Sequence, residues 1–172
     1  MVEMLAEAFV AIGSNIAPER NVPAAVARLS EESELVAVST FYRTRPIGRP
    51  EQADYRNGMV RLRTRLAREV MEREVLKKIE TELGRERSAD RHAARTIDLD
   101  LAVYSMDGVV TWADPDLAAH NFIAAPLAEL APELLLPPAG RRATTIAEEV
   151  GRAGLERDEG LTRRLKEKLK HE

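Results

Sequence analysis

A single domain that mixes α-helices with β-strands is what the sequence predicts, on three observations. The run Arg95-Thr96-Ile97-Asp98-Leu99-Asp100-Leu101-Ala102-Val103-Tyr104 alternates apolar and other residues with period two, as a strand with one buried face does. Ala67 to Leu83 carries Val70, Leu76, Ile79 and Leu83 at helical spacing among Glu, Lys and Arg. Further short runs rich in β-branched and aromatic residues are separated by turn residues. At 172 residues the chain suits one domain with at most a short appendage.

In order, Ala8-Phe9-Val10-Ala11-Ile12 reads as a buried strand that ends at Gly13-Ser14-Asn15. That triplet matches neither common phosphate-loop pattern and reads as a plain turn. Pro18 sits near a helix start, and a helix is expected from Asn21 to about Glu32 on Val22, Val26 and Leu29. Leu35 to Tyr42 reads as one strand. Arg43 to about Ala53 holds two prolines and a glycine, and so forms a long irregular loop of the kind that often binds ligands. Tyr55 to Thr64 is a strand with Tyr55, Asn57, Met59 and Arg61 on one face and Val60 and Leu62 on the other. Gly84 fits the position just past a helix end.

After the acidic strand, Val109 to Trp112 is expected to pair back as a short strand, and Leu127 to Leu130 to be a short helix. Leu155, Leu161, Leu165 and Leu169 mark a narrow stripe on a basic C-terminal helix, so residues 151–172 read as a helical extension to a domain over 1–150.

Composition removes several function classes. The absence of Cys excludes disulfides, thiolate zinc sites and a Cys nucleophile. A net charge of −3 argues against a general nucleic-acid binder. The first residues are acidic where a signal peptide is basic, and no stretch approaches the roughly 20 apolar residues of a membrane span. A cytoplasmic protein with no nucleic-acid or membrane partner is expected, as monomer or homodimer.

Chemistry concentrates between residues 85 and 100. Asp98 and Asp100 lie two apart on a strand that rises roughly 3.3 Å per residue, so their carboxylates start about 6.5 Å apart on one face. Asp is disfavoured in strands and like charges repel. Two rigid anionic oxygen donors suit Mg²⁺ when substrate phosphates supply its other ligands. Arg85, Arg87, Arg91, His92 and Arg95 fill the segment that leads into this strand, and Arg forks match phosphate oxygens. Anion and metal sites side by side describe a magnesium nucleotide.

These residues resemble the signature of the 6-hydroxymethyl-7,8-dihydropterin pyrophosphokinases of folate biosynthesis. Arg85-x-Arg87 and the run from Arg91 to Leu101 carry the resemblance, together with Ala11-Ile12-Gly13-Ser14-Asn15, Phe41 to Gly48, Tyr55-x-Asn57 and Phe122 to Leu127. They come in the family's order over about residues 8–140. The resemblance implies an α+β fold with a ferredoxin-like core, an antiparallel sheet flanked by helices in three layers. It implies transfer of an intact pyrophosphoryl group from the co-substrate ATP to the pterin hydroxymethyl oxygen, leaving AMP. Asp98 and Asp100 match the aspartates that bind two Mg²⁺ ions. Arg85, Arg87 and Arg95 match the catalytic basic residues around the triphosphate. Glu80, Arg91, His92, Leu101 and His120 fall at or beside ATP-binding positions. Thr44, Pro46, Ile47, Tyr55, Asn57, Asp98 and Phe122 match the pterin pocket, with the pterin ring between two aromatics and Asn57 on its amide edge.

Three positions depart from the family pattern. Asp114 and His92 stand where His and Trp are frequent, and the segment Ala119-His120-Asn121-Phe122 lacks a frequent Arg. A pterin-binding protein with weakened transfer is one alternative. A ferredoxin-like RNA-binding module is another, opposed by the net charge and the lack of an aromatic RNP-like strand.

Overall fold

The computed structural model describes residues 5–85, 90 and 93–169. Strand β1 (Ala6–Ser14) leads into helix α1 (Pro18–Glu32), then β2 (Glu34–Val38), β3 (Tyr42–Thr44) and β4 (Tyr55–Thr64). Helix α2 spans 68–82 in three pieces, with a π-helical stretch Met71–Leu76 between α-helical Arg68–Val70 and Lys77–Glu82. Strands β5 (Asp98–Met106) and β6 (Val109–Ala113) follow, then a 3₁₀ turn Leu117–Ala119 and helix α3 (Asn121–Leu130). The chain closes with β7 (Leu135–Leu136), β8 (Arg141–Arg142), α4 (Ala143–Val150), β9 (Glu156–Arg157) and α5 (Glu159–Leu169).

The main sheet runs β6-β5-β1-β4-β3-β9, with β2 also paired to β4. Its pairings are antiparallel throughout. Both faces are covered, giving an α+β fold in three layers. Ala8, Val10 and Ile12 of β1 pack with Val22 and Leu29 of α1, Val75 and Ile79 of α2, and Leu161 and Leu165 of α5. On the opposite face, Phe9 and Met59 pack with Leu127 of α3 and Ile146 of α4. Among the described residues no helix is long and apolar enough to cross a membrane.

Five expectations about elements change. Helix α1 begins at Pro18, since a proline at the first helical position removes only an amide that has no intrahelical acceptor. The strand expected over 35–42 divides in two. Ser39 and Thr40 leave the ladder, and Ser39 Oγ accepts from the Met59 amide at 2.9 Å. The buried Phe41 ring then lies over Gly58, where an added Cβ would come within 2.5 Å of it. In β5 the alternation fails beyond Leu101. Leu101 pairs with Val10 and Val103 with Phe9, so Ala102 is an extra residue and Val103 turns to the second core. The helix expected over 127–130 begins at Asn121. In α2 the buried stripe is Met71, Val75, Leu76 and Ile79, with Val70 only half-buried, because a π-helical turn re-phases the faces.

Candidate active site

The acidic end of β5 has an open edge. Strand β6 pairs only from Val103 onward, so residues 98–101 are bonded to β1 on one side and face α2 across a cleft on the other. This cleft, about 340 Å³, is lined by Arg73, Lys77, Glu80, Arg85, Asp98 and Asp100, with Leu101 and Arg95 also on its wall. A strand edge leaves amides without ladder partners. Here the Leu99 amide donates to Glu80 Oε2 at 2.8 Å. Glu80 is 2% exposed, so its carboxylate is an internal support, anchored on one side by this amide and on the other by Arg85.

Asp98 is held from two directions. Arg85 donates to Oδ1 at 2.9 Å and Arg95 to Oδ2 at 2.8 Å. Asp100 opens onto the cleft, yet protein atoms surround its carboxyl on most sides. Burial, then the charge of Asp98 and a hydrogen bond with it, and then Glu80, push the Asp100 carboxyl up to about 7. Burial and the adjacent carboxylates of Asp98 and Glu80 thus disfavour a bare Asp100 carboxylate, a cost that a divalent cation would relieve. Burial opposes the charge on Arg95, but Asp98, Tyr55 and Asp100 together hold its guanidinium more basic than usual.

The end of β1 ties the arginine segment to the loop before β4. The Ser14 hydroxyl donates to the Thr96 carbonyl at 2.6 Å. Asn15, 5% exposed, accepts from the Arg95 amide through Oδ1 at 2.8 Å, while its own amide donates to the Arg95 carbonyl at 3.1 Å. Its Nδ2 reaches Gln52 Oε1 at 3.1 Å and the Ala53 carbonyl at 3.3 Å. Asn15 is thus a hub of contacts that reading the triplet as a plain turn misses. Its sequence signals are a polar residue directly after a buried strand and its place in the run Ala11 to Asn15 singled out above.

A second cavity of about 270 Å³ adjoins the cleft through Arg95 and Asp98, which line both. Thr44, Pro46, Ile47, Tyr55, Asn57 and Phe122 form the rest of its main walls. Every residue expected at the pterin pocket therefore meets in one place. Asn57 Nδ2 donates to Thr44 Oγ1 at 2.7 Å, which fixes the amide's orientation. Gly13 permits this, because a Cβ there would lie 2.6 Å from Asn57 Oδ1. Burial raises the Tyr55 phenol, with Asp98 adding to the rise and Arg95 and Arg85 opposing it, so it stays neutral at ordinary pH. The His120 ring stacks on Phe122 with centroids 4.9 Å apart. His120, expected with the nucleotide, lines this second cavity instead of the cleft. Arg87, Arg91 and His92 lie outside the described residues. Asp114 lines neither cavity and accepts from the Asp116 amide at 2.8 Å, closing the turn after β6.

The sequence profile of the 7,8-dihydro-6-hydroxymethylpterin-pyrophosphokinase (HPPK) family matches residues 9–132. The chain belongs to this family. Proteins named 2-amino-4-hydroxy-6-hydroxymethyldihydropteridine pyrophosphokinase are similar to it. The one from Haemophilus influenzae is 35% identical over 137 residues, 76% of this chain and 84% of the relative. That from Pseudomonas aeruginosa is 36% identical over 141 residues, covering 78% and 86%. That from Bacillus subtilis is 35% identical over 131 residues, covering 72% and 77%. The matched HPPK region includes every lining residue of both cavities, and ends before α4, β9 and α5.

The donor set fits magnesium bound together with substrate. Among the described residues no group of three or more His, Cys, Asp or Glu is placed to hold an ion by itself. Mg²⁺ needs no such group when one or two carboxylates are joined by water and phosphate oxygens. Asp98 and Asp100 are such a pair.

Proposed function

We propose that the protein transfers the β,γ-pyrophosphoryl group of ATP to the hydroxymethyl oxygen of 6-hydroxymethyl-7,8-dihydropterin in folate synthesis, releasing AMP. The observation that carries this reading is the position of Asp98, which lines the cleft and the second cavity at once. A nucleotide in the cleft and a pterin in the second cavity would meet at that carboxylate. The pterin hydroxyl oxygen attacks the β-phosphorus and gives up its proton to solvent, the bond from that phosphorus to the oxygen bridging the α-phosphate breaks, and AMP carries that oxygen away.

Such transfers depend mainly on positioning and charge neutralisation. Asp98 and Asp100 would hold Mg²⁺, two ions by the family's pattern, and bound metal would supply neutralisation of charge on the phosphate oxygens. Arg85 and Arg95, which hold Asp98 in the free protein, are placed to exchange that carboxylate for phosphate oxygens. Arg87, Arg91 and His92 belong to the same basic segment and are assigned to the triphosphate on that ground. Asn57 orients the pterin's amide edge, while Tyr55 and Phe122 offer aromatic faces. Glu80 acts on the nucleotide side indirectly, by setting the edge of β5 and the direction of Arg85.

The strand order β5-β1-β4-β2, with α1 between β1 and β2 and α2 between β4 and β5, supports a ferredoxin-like reading of the core. Residues 1–150 are then the catalytic domain and 151–172 its extension.

The reading is tested by supplying purified protein with Mg-ATP and the dihydropterin and resolving nucleotide products. AMP in proportion to pterin diphosphate supports it. ADP as the product, or no pterin-dependent turnover, removes it.

A further inference from the structure

Residues 151–158 connect α4 to α5, and Ala153, Gly154 and Glu156 line a cavity next to the second one. They bond to residues that directly flank both of the second cavity's walls. On one side the Ala153 carbonyl accepts from Asn121 Nδ2 at 2.8 Å, directly before Phe122 at the start of α3. On the other side β9 adds to the edge of β3, with Arg157 opposite Tyr42 and Glu156 opposite Arg43, one residue before Thr44. Arg152 donates to the Tyr42 hydroxyl at 2.8 Å, and its guanidinium lies 5.4 Å from the centre of that ring. The Asp158 amide donates to the Phe41 carbonyl at 2.8 Å, and Arg56, between Tyr55 and Asn57, donates to Asp158 Oδ2 at 2.7 Å.

The two walls come from distant parts of the chain. Thr44, Tyr55 and Asn57 sit on β3 and β4, whereas Phe122 begins α3. The same segment also borders a further cavity of about 550 Å³, which shares Thr44, Arg45 and Phe122 with the second cavity. With open space behind them, these residues are held through their chain neighbours Asn121 and Arg43, which residues 151–158 bond.

We propose that residues 151–158 form a strap that sets the separation of Phe122 from Thr44 and Asn57, with Asn121 and Arg152 as positioning residues for pterin recognition. The inference rests on reading the second cavity as the pterin pocket. Among the described residues none of the strap lines the Asp98–Asp100 cleft, so its loosening acts on one substrate and spares the other.

The test compares Asn121→Ala and Arg152→Ala with wild type in steady-state AMP formation, varying pterin and Mg-ATP separately, and records thermal midpoints. Lys168→Ala, which removes a contact of α5 with the Pro23 carbonyl away from the strap, is the control. The expected result is a rise in pterin KM of roughly three- to tenfold in each strap variant, the size of one net hydrogen bond. KM for Mg-ATP, kcat and the thermal midpoint stay near wild type, and the control keeps the wild-type pterin KM. Tyr42→Phe combined with Arg152→Ala adds little to Arg152→Ala alone, because both remove the same hydrogen bond. Unchanged pterin KM in both strap variants overturns the proposal. So does a rise in both KM values together with a fall in thermal midpoint, which is the signature of general loosening. A wild-type protein that makes no AMP overturns the underlying functional reading, and the strap's role with it.

Discussion

Gly13 has no side chain in the place that the Asn57 carbonyl oxygen occupies. Gly13→Ala forces that amide away from Thr44, and overpacking of this kind costs about 1–3 kcal/mol. The expected outcome is a folded protein with a raised pterin KM, measured beside an unfolding curve. Glu80 carries a different load, because it satisfies the Leu99 amide inside the protein. Glu80→Ala leaves that amide and Arg85 without their carboxylate, and a buried group stripped of its partner costs about 1–3 kcal/mol. Urea unfolding is predicted to show that loss, with AMP formation falling as Asp98 loses a fixed Arg85. At this scale the sequence was readable where residue type and chemistry coincide, as at Asp98, Asp100 and Asn57. It was opaque at Asn15, whose partners lie 37 and 80 residues away along the chain. Nothing in the local pattern of Gly13-Ser14-Asn15 indicates them.

Among the elements, β5 shows how far period two can be trusted. The alternation holds where β5 has one free edge, at Asp98 to Leu101, and fails where β6 joins and Ala102 bulges. A bulge at Ala carries no glycine or proline signal, so the pattern could not announce it. The same holds for the break at Ser39 to Phe41, which depends on the absence of a side chain at Gly58 on a separate strand. Helix α5 was visible as a leucine stripe, but its docking depends on Asp158. That carboxylate accepts from the Leu161 amide at 3.0 Å, the geometry of a helix cap, and from Arg56. Burial pushes its pKa up, but the Leu161 amide and Arg56 more than offset this, so the net shift is downward. The folded protein therefore binds a proton at Asp158 less readily than the unfolded chain. The resulting stabilisation is present above the unfolded value of about 3.9 and is lost as pH falls through the lower folded value. Asp158→Asn keeps a capping oxygen and removes the charge. Its deficit in unfolding free energy is predicted to be full at neutral pH and to shrink below about pH 4. A deficit that stays constant across that range would assign the effect to packing alone. Asp158→Ala loses the cap as well, worth about 0.5–2 kcal/mol.

For the whole molecule, the sheet is the device that brings distant residues to one point. Strand β1 lies between β4 and β5, so the β4 residues proposed to face the pterin and the acids of β5 flank the end of β1 at Gly13. The layers were legible because both faces of the sheet and one face of each helix follow hydrophobic periodicity. The meeting of two cavities at Asp98 was not, because it needs the end of β6 at Val103 and the open strand edge that results. The residues expected from the family pattern at 44, 46, 47, 55, 57 and 122 nevertheless converge on one cavity. The central claim is that Asp98 and Asp100 hold the metal nucleotide against the pterin for pyrophosphoryl transfer. It is tested most directly by counting AMP formed from Mg-ATP and 6-hydroxymethyl-7,8-dihydropterin by wild type, Asp98→Ala and Asp100→Ala. The prediction is one AMP per pterin diphosphate in wild type, and a fall of roughly a hundredfold or more in each variant with the fold retained, as loss of transition-state charge stabilisation entails. Variants that keep most of the AMP formation would contradict the claim.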